Sequence, residues 1–330
     1  MKGMQMAQLV KLVDYVSRYE NDLTRYPTQF IRLKRYQWKR IKNQWEHGFD
    51  QFEEQAATML EDTQEDAKWY SLLFKKWRKR RDDDFVDEEA DEGPDEEVET
   101  DLTFQAAISE RPSSMEQLKK SYSEQLFQFQ LKWASSTLYD RSRVDPKFFS
   151  DSLLKQLTQR LPDSFLLFYY PIVKVNKAPI ELDIVLLSPT ACYCITVLED
   201  ERMAAYIGSS DRFWLKKFGE QELKVLNPSI ALNRMEKVIS SFFNGAKVEL
   251  PIKKLIISRN GYIDYPGTPY EITCIDRKTY DQWLTQLSKN PSPMKHTQFK
   301  AAQSILDYAE TTAMSRLFDA EESAEEPIEE

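Results

Sequence analysis

The sequence predicts a mixed α/β domain in the C-terminal half of the chain, preceded by an α-helical, coiled-coil-like N-terminal half. From about residue 146 onward, short apolar runs typical of strands alternate with helical runs, the pattern of a mixed sheet covered by helices. The helical runs begin with residues 148–161, and the predicted strands include residues 253–258. In the N-terminal half, apolar residues recur at spacings of three and four, which indicates amphipathic helices. A strongly acidic run over residues 82–101 lies between the two regions.

The N-terminal region, residues 1–81, is predicted to form a helical bundle or a coiled-coil hairpin. Two sets of apolar residues lie at helical spacing, one before and one after a proline: Leu9, Leu12, Val13 and Val16, then Phe30, Leu33, Ile41 and Trp45. We expect Pro27 either to separate two helices or to lie in the first turn of the second. A third helix is expected over residues 52–81.

The segment that follows, residues 82–113, is predicted to be a disordered acidic linker, because its few apolar residues cannot offset the entropy of ordering. A long connecting helix is predicted over residues 114–145. Its apolar seam is typical of a coiled coil and is compatible with self-association or a protein partner: Met115, Leu118, Tyr122, Leu126, Phe129 and Trp133. Beyond the α/β domain, we expect a C-terminal helix over residues 291–318 and an acidic tail over residues 319–330.

The composition is that of a soluble protein, with 30% charged and 41% hydrophobic residues. The net charge of −9 does not decide for or against nucleic acid, because the acidic residues are concentrated in the linker and the tail. The three cysteines lie in apolar stretches without metal-ligand spacing, which predicts buried thiols in a reducing compartment. The sequence shows no signal peptide and no membrane-spanning segment, so we expect a cytoplasmic protein without a membrane partner.

Two neighbouring predicted strands each carry an acid at one end. The first, residues 180–187, opens around Asp183, and the second, residues 192–199, ends on Glu199. Because neighbouring strands lie about 4.8 Å apart, two such carboxylates can converge on one cation. Mg²⁺ or Mn²⁺ takes hard oxygen ligands and then polarises a phosphate or generates a hydroxide.

Together with other residues in order, these acids resemble the nuclease-related domain (NERD) family of the PD-(D/E)xK nuclease-like superfamily. Asp151 stands early on a helix, and Trp214 and Asn227-Pro228 follow downstream. The resemblance covers roughly residues 146–290. It implies a restriction-endonuclease-like mixed sheet flanked by helices, with Asp151, Asp183 and Glu199 as the metal ligands.

The chain departs from the family pattern at the lysine of its E-x-K motif. That position is Glu201 in this chain. Its carboxylate would add negative charge at the place where the phosphate backbone of a nucleic acid must bind. Many family members have a glutamine shortly after Asn-Pro. In this chain its place is taken by about Ala231, so the glutamine is also missing. Arg202 could replace the lysine, although alternation along a strand turns it to the opposite face from Glu201.

The resemblance therefore implies a nuclease-related protein with impaired catalysis that acts in nucleic-acid binding or processing. An active nuclease that uses the three acids and Arg202 with Mg²⁺ or Mn²⁺ remains one alternative. A protein-interaction scaffold, built on the helices and needing no cofactor, remains another.

Structural roles compete with catalytic ones for several residues. An acid in the first turn of a helix is favoured by the helix dipole, so capping and metal binding stay equally open for Asp151. Asn227 is expected to cap the following helix, and Trp214 is expected to pack in the core. His47 and His296 are isolated in the sequence and suggest no catalytic pair.

Basic residues form a stripe on the helix predicted after Pro27. Arg35, Lys39 and Lys42 share one face of it, and Lys76 and Lys79 belong to a second basic cluster. Such residues can neutralise phosphates, and the interleaved aromatic residues can stack on bases. These are Phe30, Tyr36, Trp38 and Trp45. The alternative is that the basic residues form a solvated face and the aromatic residues pack in the core. We favour the core for the aromatic residues. For the basic residues, phosphate contact and a solvated face both stay open.

Overall fold

The computed structural model of the chain describes residues 5–47, 104, 106–107, 112–137, 140–176, 178–200, 203–289 and 292–312. Residues 1–34 together with 123–330 form one compact unit, and residues 35–122 form a second. The helix predicted over residues 52–81, with Lys76 and Lys79, lies outside the described residues, as do most of the acidic linker and the acidic tail. In the part of the chain that is described, no helix is long and apolar enough to cross a membrane.

Eight helices and twelve strands lie within the described residues. The helices are α1 (Arg18–Asn21), α2 (Arg25–His47), α3 (Met115–Trp133), α4 (Lys147–Ser150), α5 (Ser152–Arg160), α6 (Pro228–Gly245), α7 (Tyr280–Ser288) and α8 (His296–Leu306). The strands are β1 (Gln8–Leu12), β2 (Leu166–Tyr169), β3 (Ile172–Val175), β4 (Ala178–Glu181), β5 (Ile184–Leu187), β6 (Cys192–Val197), β7 (Ala205–Ile207), β8 (Phe213–Phe218), β9 (Gln221–Leu226), β10 (Ile252–Ile257), β11 (Tyr262–Asp264) and β12 (Ile272–Ile275).

The centre of the larger unit is a six-stranded mixed sheet with the order β1-β2-β5-β6-β10-β12. β5 runs antiparallel to both of its neighbours, β2 and β6. The other adjacent pairs are parallel, so five strands point in one direction. α6 packs against β6 and β10, and α8 packs against α6 and β5. The prediction of a mixed sheet flanked by helices is therefore confirmed.

β1 shows that the helix predicted around residues 8–12 is wrong. All five residues are buried, and the strand pairs in parallel with β2. A short apolar run has the same appearance in a buried strand and in a helix, so spacing alone could not separate them. Lys11 is tolerated in this strand because its ammonium donates to the Tyr15 carbonyl, the Glu20 carboxylate and the Thr311 hydroxyl at 2.6, 2.5 and 2.7 Å.

Three helices differ in extent from their predictions. The helix expected over residues 148–161 is divided into α4 and α5 by Asp151, whose backbone is extended (φ −63°, ψ 109°). The connecting helix expected to reach residue 145 ends at Trp133, where Ser135 donates its hydroxyl to the Leu131 carbonyl and so competes with helical bonding. The C-terminal helix spans only His296–Leu306 within the described residues.

Other predictions for the helical half hold. Pro27 is the third residue of α2 and therefore lies in its first turn. The seam residues of α3 from Leu118 to Trp133 are buried, and Phe30 stacks on Phe129 with 6.4 Å between ring centroids. A coiled coil and self-association stay predictions, since burial in one chain does not test them.

Two smaller sheets complete the larger unit. One has the order β11-β7-β8-β9, and the other is the hairpin β3-β4. Trp214 on β8 is almost fully buried and donates its indole N–H to the Ser209 carbonyl at 3.0 Å, which confirms its predicted packing role. Cys192 and Cys194, on β6, are buried free thiols as predicted, and Cys274 is half-buried.

Candidate functional site

The candidate site lies where the five co-directional strands of the large sheet end and β5 begins. We call this edge the carboxyl edge and define it by seven residues: Asp151, Tyr169, Tyr170, Asp183, Thr196, Glu199 and Arg259. In open α/β sheets, ligands bind outside the carboxyl ends of the strands, because side chains of several strand ends meet there. The three predicted metal ligands all belong to this edge.

Asp183 immediately precedes β5, and its partner across the strand pair is a hydroxyl. The strand predicted over residues 180–187 is in fact two strands, because β4 ends at Glu181 and β5 begins at Ile184. The antiparallel register pairs Ile184 with Ile195 and so places Thr196 opposite Asp183. The Thr196 hydroxyl donates to the Asp183 carboxylate at 2.5 Å.

Glu199 lies two residues beyond the end of β6, so the prediction that this strand ends on Glu199 is wrong in its boundary. Its carboxylate is bound by Arg259 through both oxygens: Nε and a terminal N–H of the guanidinium donate to Oε1 and Oε2, the latter at 2.6 Å. A terminal N–H of Arg259 also donates to the Ser152 hydroxyl at 3.1 Å.

The ion pair is partly shielded from water, with the Arg259 and Glu199 side chains 15% and 24% exposed. Burial lowers the pKa of Arg259, but the hydrogen bonds and charge of Glu199 outweigh that effect and the pKa lies above its usual value. The guanidinium is therefore a permanent positive charge at the carboxyl edge.

Asp151 is the N-cap of α5. Its Oδ1 accepts the backbone N–H groups of Leu153 and Leu154 at 2.9 and 3.0 Å, and its Oδ2 accepts the Tyr169 hydroxyl at 2.6 Å. The pKa of Tyr169 is raised by burial and by the neighbouring Asp151 charge. The capping role left open by the sequence is confirmed, and the metal-binding role stays a prediction.

Tyr170 follows β2 with a positive φ of 50°. This left-handed backbone is unfavourable for a bulky residue and is concentrated at functional sites. Burial raises the pKa of its phenol to about 12, and the charges of Asp183, Asp151, Glu199 and Glu181 add to that effect. Four carboxylates therefore act on one hydroxyl, which indicates a shared acidic neighbourhood.

The carboxylates as they lie do not fit a divalent ion. In the described portions of the chain, no three Asp, Glu, His or Cys side chains are grouped so that they could hold a metal. Each predicted ligand instead accepts hydrogen bonds from the protein: Asp151 from α5 and Tyr169, Asp183 from Thr196, and Glu199 from Arg259. A hydrogen-bonded carboxylate keeps lone pairs that can ligate a metal, so the stronger obstacle is that no three of these groups converge on one point.

Sequence reasoning missed Arg259, Tyr170 and Thr196. Arg259 comes two residues after a strong apolar strand, and a charged residue at such a place is a usable signal once the strand is known to be parallel. Tyr170 precedes Pro171, which restricts its backbone. Thr196 carries no signal of its own, because its role depends on the strand register.

The remaining predicted site residues are not at this edge. Glu201 and Arg202 lie outside the described residues. Ala231 stands in the first turns of α6. Asn227 caps that helix as predicted, since its Oδ1 accepts the Ser229 backbone N–H at 2.9 Å.

The predicted basic stripe lies on α2. Arg35 and Lys39 are exposed, and Lys42 is half-buried with its ammonium 3.4 Å from the Glu46 carboxylate. The two exposed cations are accessible to a phosphate backbone. Lys42 is partly neutralised by its own helix.

The aromatic residues between these cations behave differently from one another. Trp38 packs against Tyr122 with 5.4 Å between ring centroids, and Trp45 donates its indole N–H to the Pro112 carbonyl at 2.8 Å. Both agree with the predicted structural role. Tyr36 is 54% exposed, so the prediction that it packs in the core is wrong.

No protein-family profile matches this sequence. No solved structure matches it either. A protein named RNA 2′,3′-cyclic phosphodiesterase, from Geobacillus stearothermophilus, is 30% identical to this chain over 130 residues. The matched stretch is 39% of this chain and 37% of the relative, so the chain spans little more than a third of that protein's length.

Proposed function

We propose that this chain carries a nuclease-related α/β domain of restriction-endonuclease-like fold with impaired catalysis, and that it acts in nucleic-acid binding or processing. The observation that carries the proposal is the state of the carboxyl edge. Its three acids share one neighbourhood, yet each is bonded to protein donors, and Thr196 occupies the place across from Asp183. Metal-dependent hydrolysis needs carboxylates that converge on the ion, and among the described residues no three acidic, histidine or cysteine side chains do so.

Nucleic-acid contact is proposed for α2 rather than for the carboxyl edge. The edge carries the carboxylates of Asp151, Asp183 and Glu199 against the guanidinium of Arg259, so its net negative charge repels an anionic backbone in the absence of a metal. Arg35 and Lys39 are exposed on α2 and can neutralise phosphates. Exposed Tyr36 lies between them in sequence and offers a stacking surface.

Binding of fluorescently labelled single- and double-stranded DNA and RNA, followed by anisotropy, tests this proposal. We expect binding that weakens as salt rises, and a salt slope that falls by roughly two in the double variant Arg35→Ala/Lys39→Ala, which removes two phosphate contacts. The matched control is Lys119→Ala/Lys120→Ala, which removes two exposed lysines from α3. An equal loss of nucleic-acid affinity in both double variants would show a general effect of charge and would contradict specific binding by Arg35 and Lys39.

Cleavage assays with Mg²⁺ or Mn²⁺ decide between impaired and active catalysis. We expect the wild type not to cleave; metal-dependent cleavage that appears in Glu201→Lys would identify the missing lysine, rather than the bonded acids, as the cause. Wild-type cleavage that disappears in Asp183→Ala would overturn the proposal in favour of an active nuclease. The absence of any salt-dependent binding would favour the protein-interaction scaffold instead.

A second candidate function rests on the partial relative. Its name refers to RNA and to a cyclic phosphodiester, and 30% identity over 130 residues favours RNA as the nucleic acid to test first. Hydrolysis of 2′,3′-cyclic nucleotides by the full chain is the direct assay. Turnover there without oligonucleotide cleavage would support a phosphodiesterase, and its absence would remove this candidate.

A further inference from the structure

We propose that Arg259 is the resident cation of the carboxyl edge: its guanidinium holds Glu199 in the place of a divalent ion, and a metal binds there only when this ion pair opens. This inference rests on the proposed function, which treats the carboxyl edge as a former metal site. Its test needs no nucleic acid, so the inference and the proposed nucleic-acid function can fail separately.

The pairing follows from the strand register. β6 and β10 are parallel and pair Val197 with Ile257, the last residue of each strand. Glu199 and Arg259 are each two residues further along, so they lie side by side as the two strands leave the sheet. The Leu198 backbone N–H donates to the Ile257 carbonyl at 2.8 Å and keeps the two segments together at this point.

Both carboxylate oxygens of Glu199 are engaged by the cation Arg259. Arg259 donates to both carboxylate oxygens, and its backbone N–H lies 3.3 Å from Oε1. Such a two-point guanidinium–carboxylate pair is strong and directional. The same terminal nitrogen that donates to Oε2 also donates to the Ser152 hydroxyl, so the guanidinium cannot swing away without losing that contact as well.

The surroundings explain why a cation is needed here. Asp151 acts on Arg259 electrostatically, and Asp183 and Glu181 act on Tyr170 at the same edge. Without the guanidinium, the negative charge of Glu199 would lose its paired cation beside these carboxylates, which favours binding another cation. Arg259 therefore satisfies the requirement that a divalent ion would otherwise meet.

Calorimetric titration of the full chain with Mn²⁺ tests the proposal. The variant Arg259→Met keeps the apolar stem and removes the charge, and we expect it to bind Mn²⁺ at least roughly tenfold more tightly than the wild type. Adding Asp183→Asn to that variant should reverse most of the gain. The matched control, Arg160→Met, removes an exposed arginine that pairs with Asp281 at 2.8 Å and does not touch Glu199.

Circular dichroism first establishes that Arg259→Met is folded. If it is not, Arg259→Lys serves, because one ammonium cannot hold both carboxylate oxygens as a guanidinium does and a severalfold gain in Mn²⁺ affinity is still expected. Equal Mn²⁺ affinity in the wild type and the Arg259 variants would overturn the proposal. So would a gain in Arg160→Met as large as that in Arg259→Met, since it would reflect net charge alone.

Discussion

The hydroxyl of Thr196 and the carboxylate of Asp183 face each other across β5 and β6 and are joined by a hydrogen bond of 2.5 Å. Thr196 is 8% exposed, so this bond is largely shielded from water. Because the antiparallel register sets the two residues opposite one another, the bond belongs to the sheet itself.

Replacing Thr196 by valine is expected to lower the free energy of unfolding by about 1–2 kcal/mol. The shape is kept, but a half-buried carboxylate loses its donor, and hydrogen bonds to charged groups contribute about this much. Urea denaturation measures the change. The control is Thr273→Val on the edge strand β12, where the side chain is exposed and the expected change is within about 0.5 kcal/mol.

At Asp151, alanine and asparagine separate the capping role from the metal role. Asp151→Ala removes the acceptor of two backbone N–H groups and of the Tyr169 hydroxyl, and should lower the free energy of unfolding by about 2 kcal/mol. Asp151→Asn keeps an N-cap oxygen and should cost about half as much or less. Thermal or urea unfolding checks that Asp151→Asn is more stable than Asp151→Ala. If Asp151 acted only through its charge, the two variants would be equally destabilised, because both remove that charge.

The left-handed backbone of Tyr170 can be tested by comparing two substitutions that both remove the ring. At a φ of 50°, asparagine is tolerated and a β-branched residue is not, so Tyr170→Val should be less stable than Tyr170→Asn by about 1–2 kcal/mol. At Tyr169, inside β2, the order should reverse because valine suits a strand. Equal stability of the two Tyr170 variants would show that the backbone there is not strained.

The buried Lys11 predicts a pH dependence of stability. Burial lowers the pKa of Lys11 below the usual 10.5 by more than the charge and hydrogen bond of Glu20 raise it. In the window between the folded pKa and 10.5 the unfolded chain binds this proton more strongly, so the stability of the wild type relative to Lys11→Met should rise as pH increases through that window.

Urea unfolding at a series of pH values, from about neutral to 10.5, checks the sign for Lys11. Lys300→Met, which removes an exposed lysine from α8, is the matched control for loss of a surface charge. A wild-type advantage that shrinks with rising pH would mean that Glu20 outweighs burial.

Much of the α/β unit was accessible from local pattern. The strand predicted over residues 253–258 differs by one residue from β10, and Asn227 caps α6 as its position before a proline indicates. The five residues of β1 were misread because full burial removes the alternation that marks a strand. The break at Asp151 was missed because a capping residue inside an apolar periodic run does not disturb the period.

The sequence by itself determined which segments are apolar enough to form the sheet and which acids could reach one edge of it, because burial and strand ends follow from local composition. Only the tertiary structure decided what those acids bind. Arg259 is 60 residues from Glu199 in sequence and reaches it through the parallel pairing of β6 and β10, while Thr196 meets Asp183 through the register of an antiparallel pair. Register is set by packing of the whole sheet, and a shift of a single residue would turn every one of these side chains to another partner.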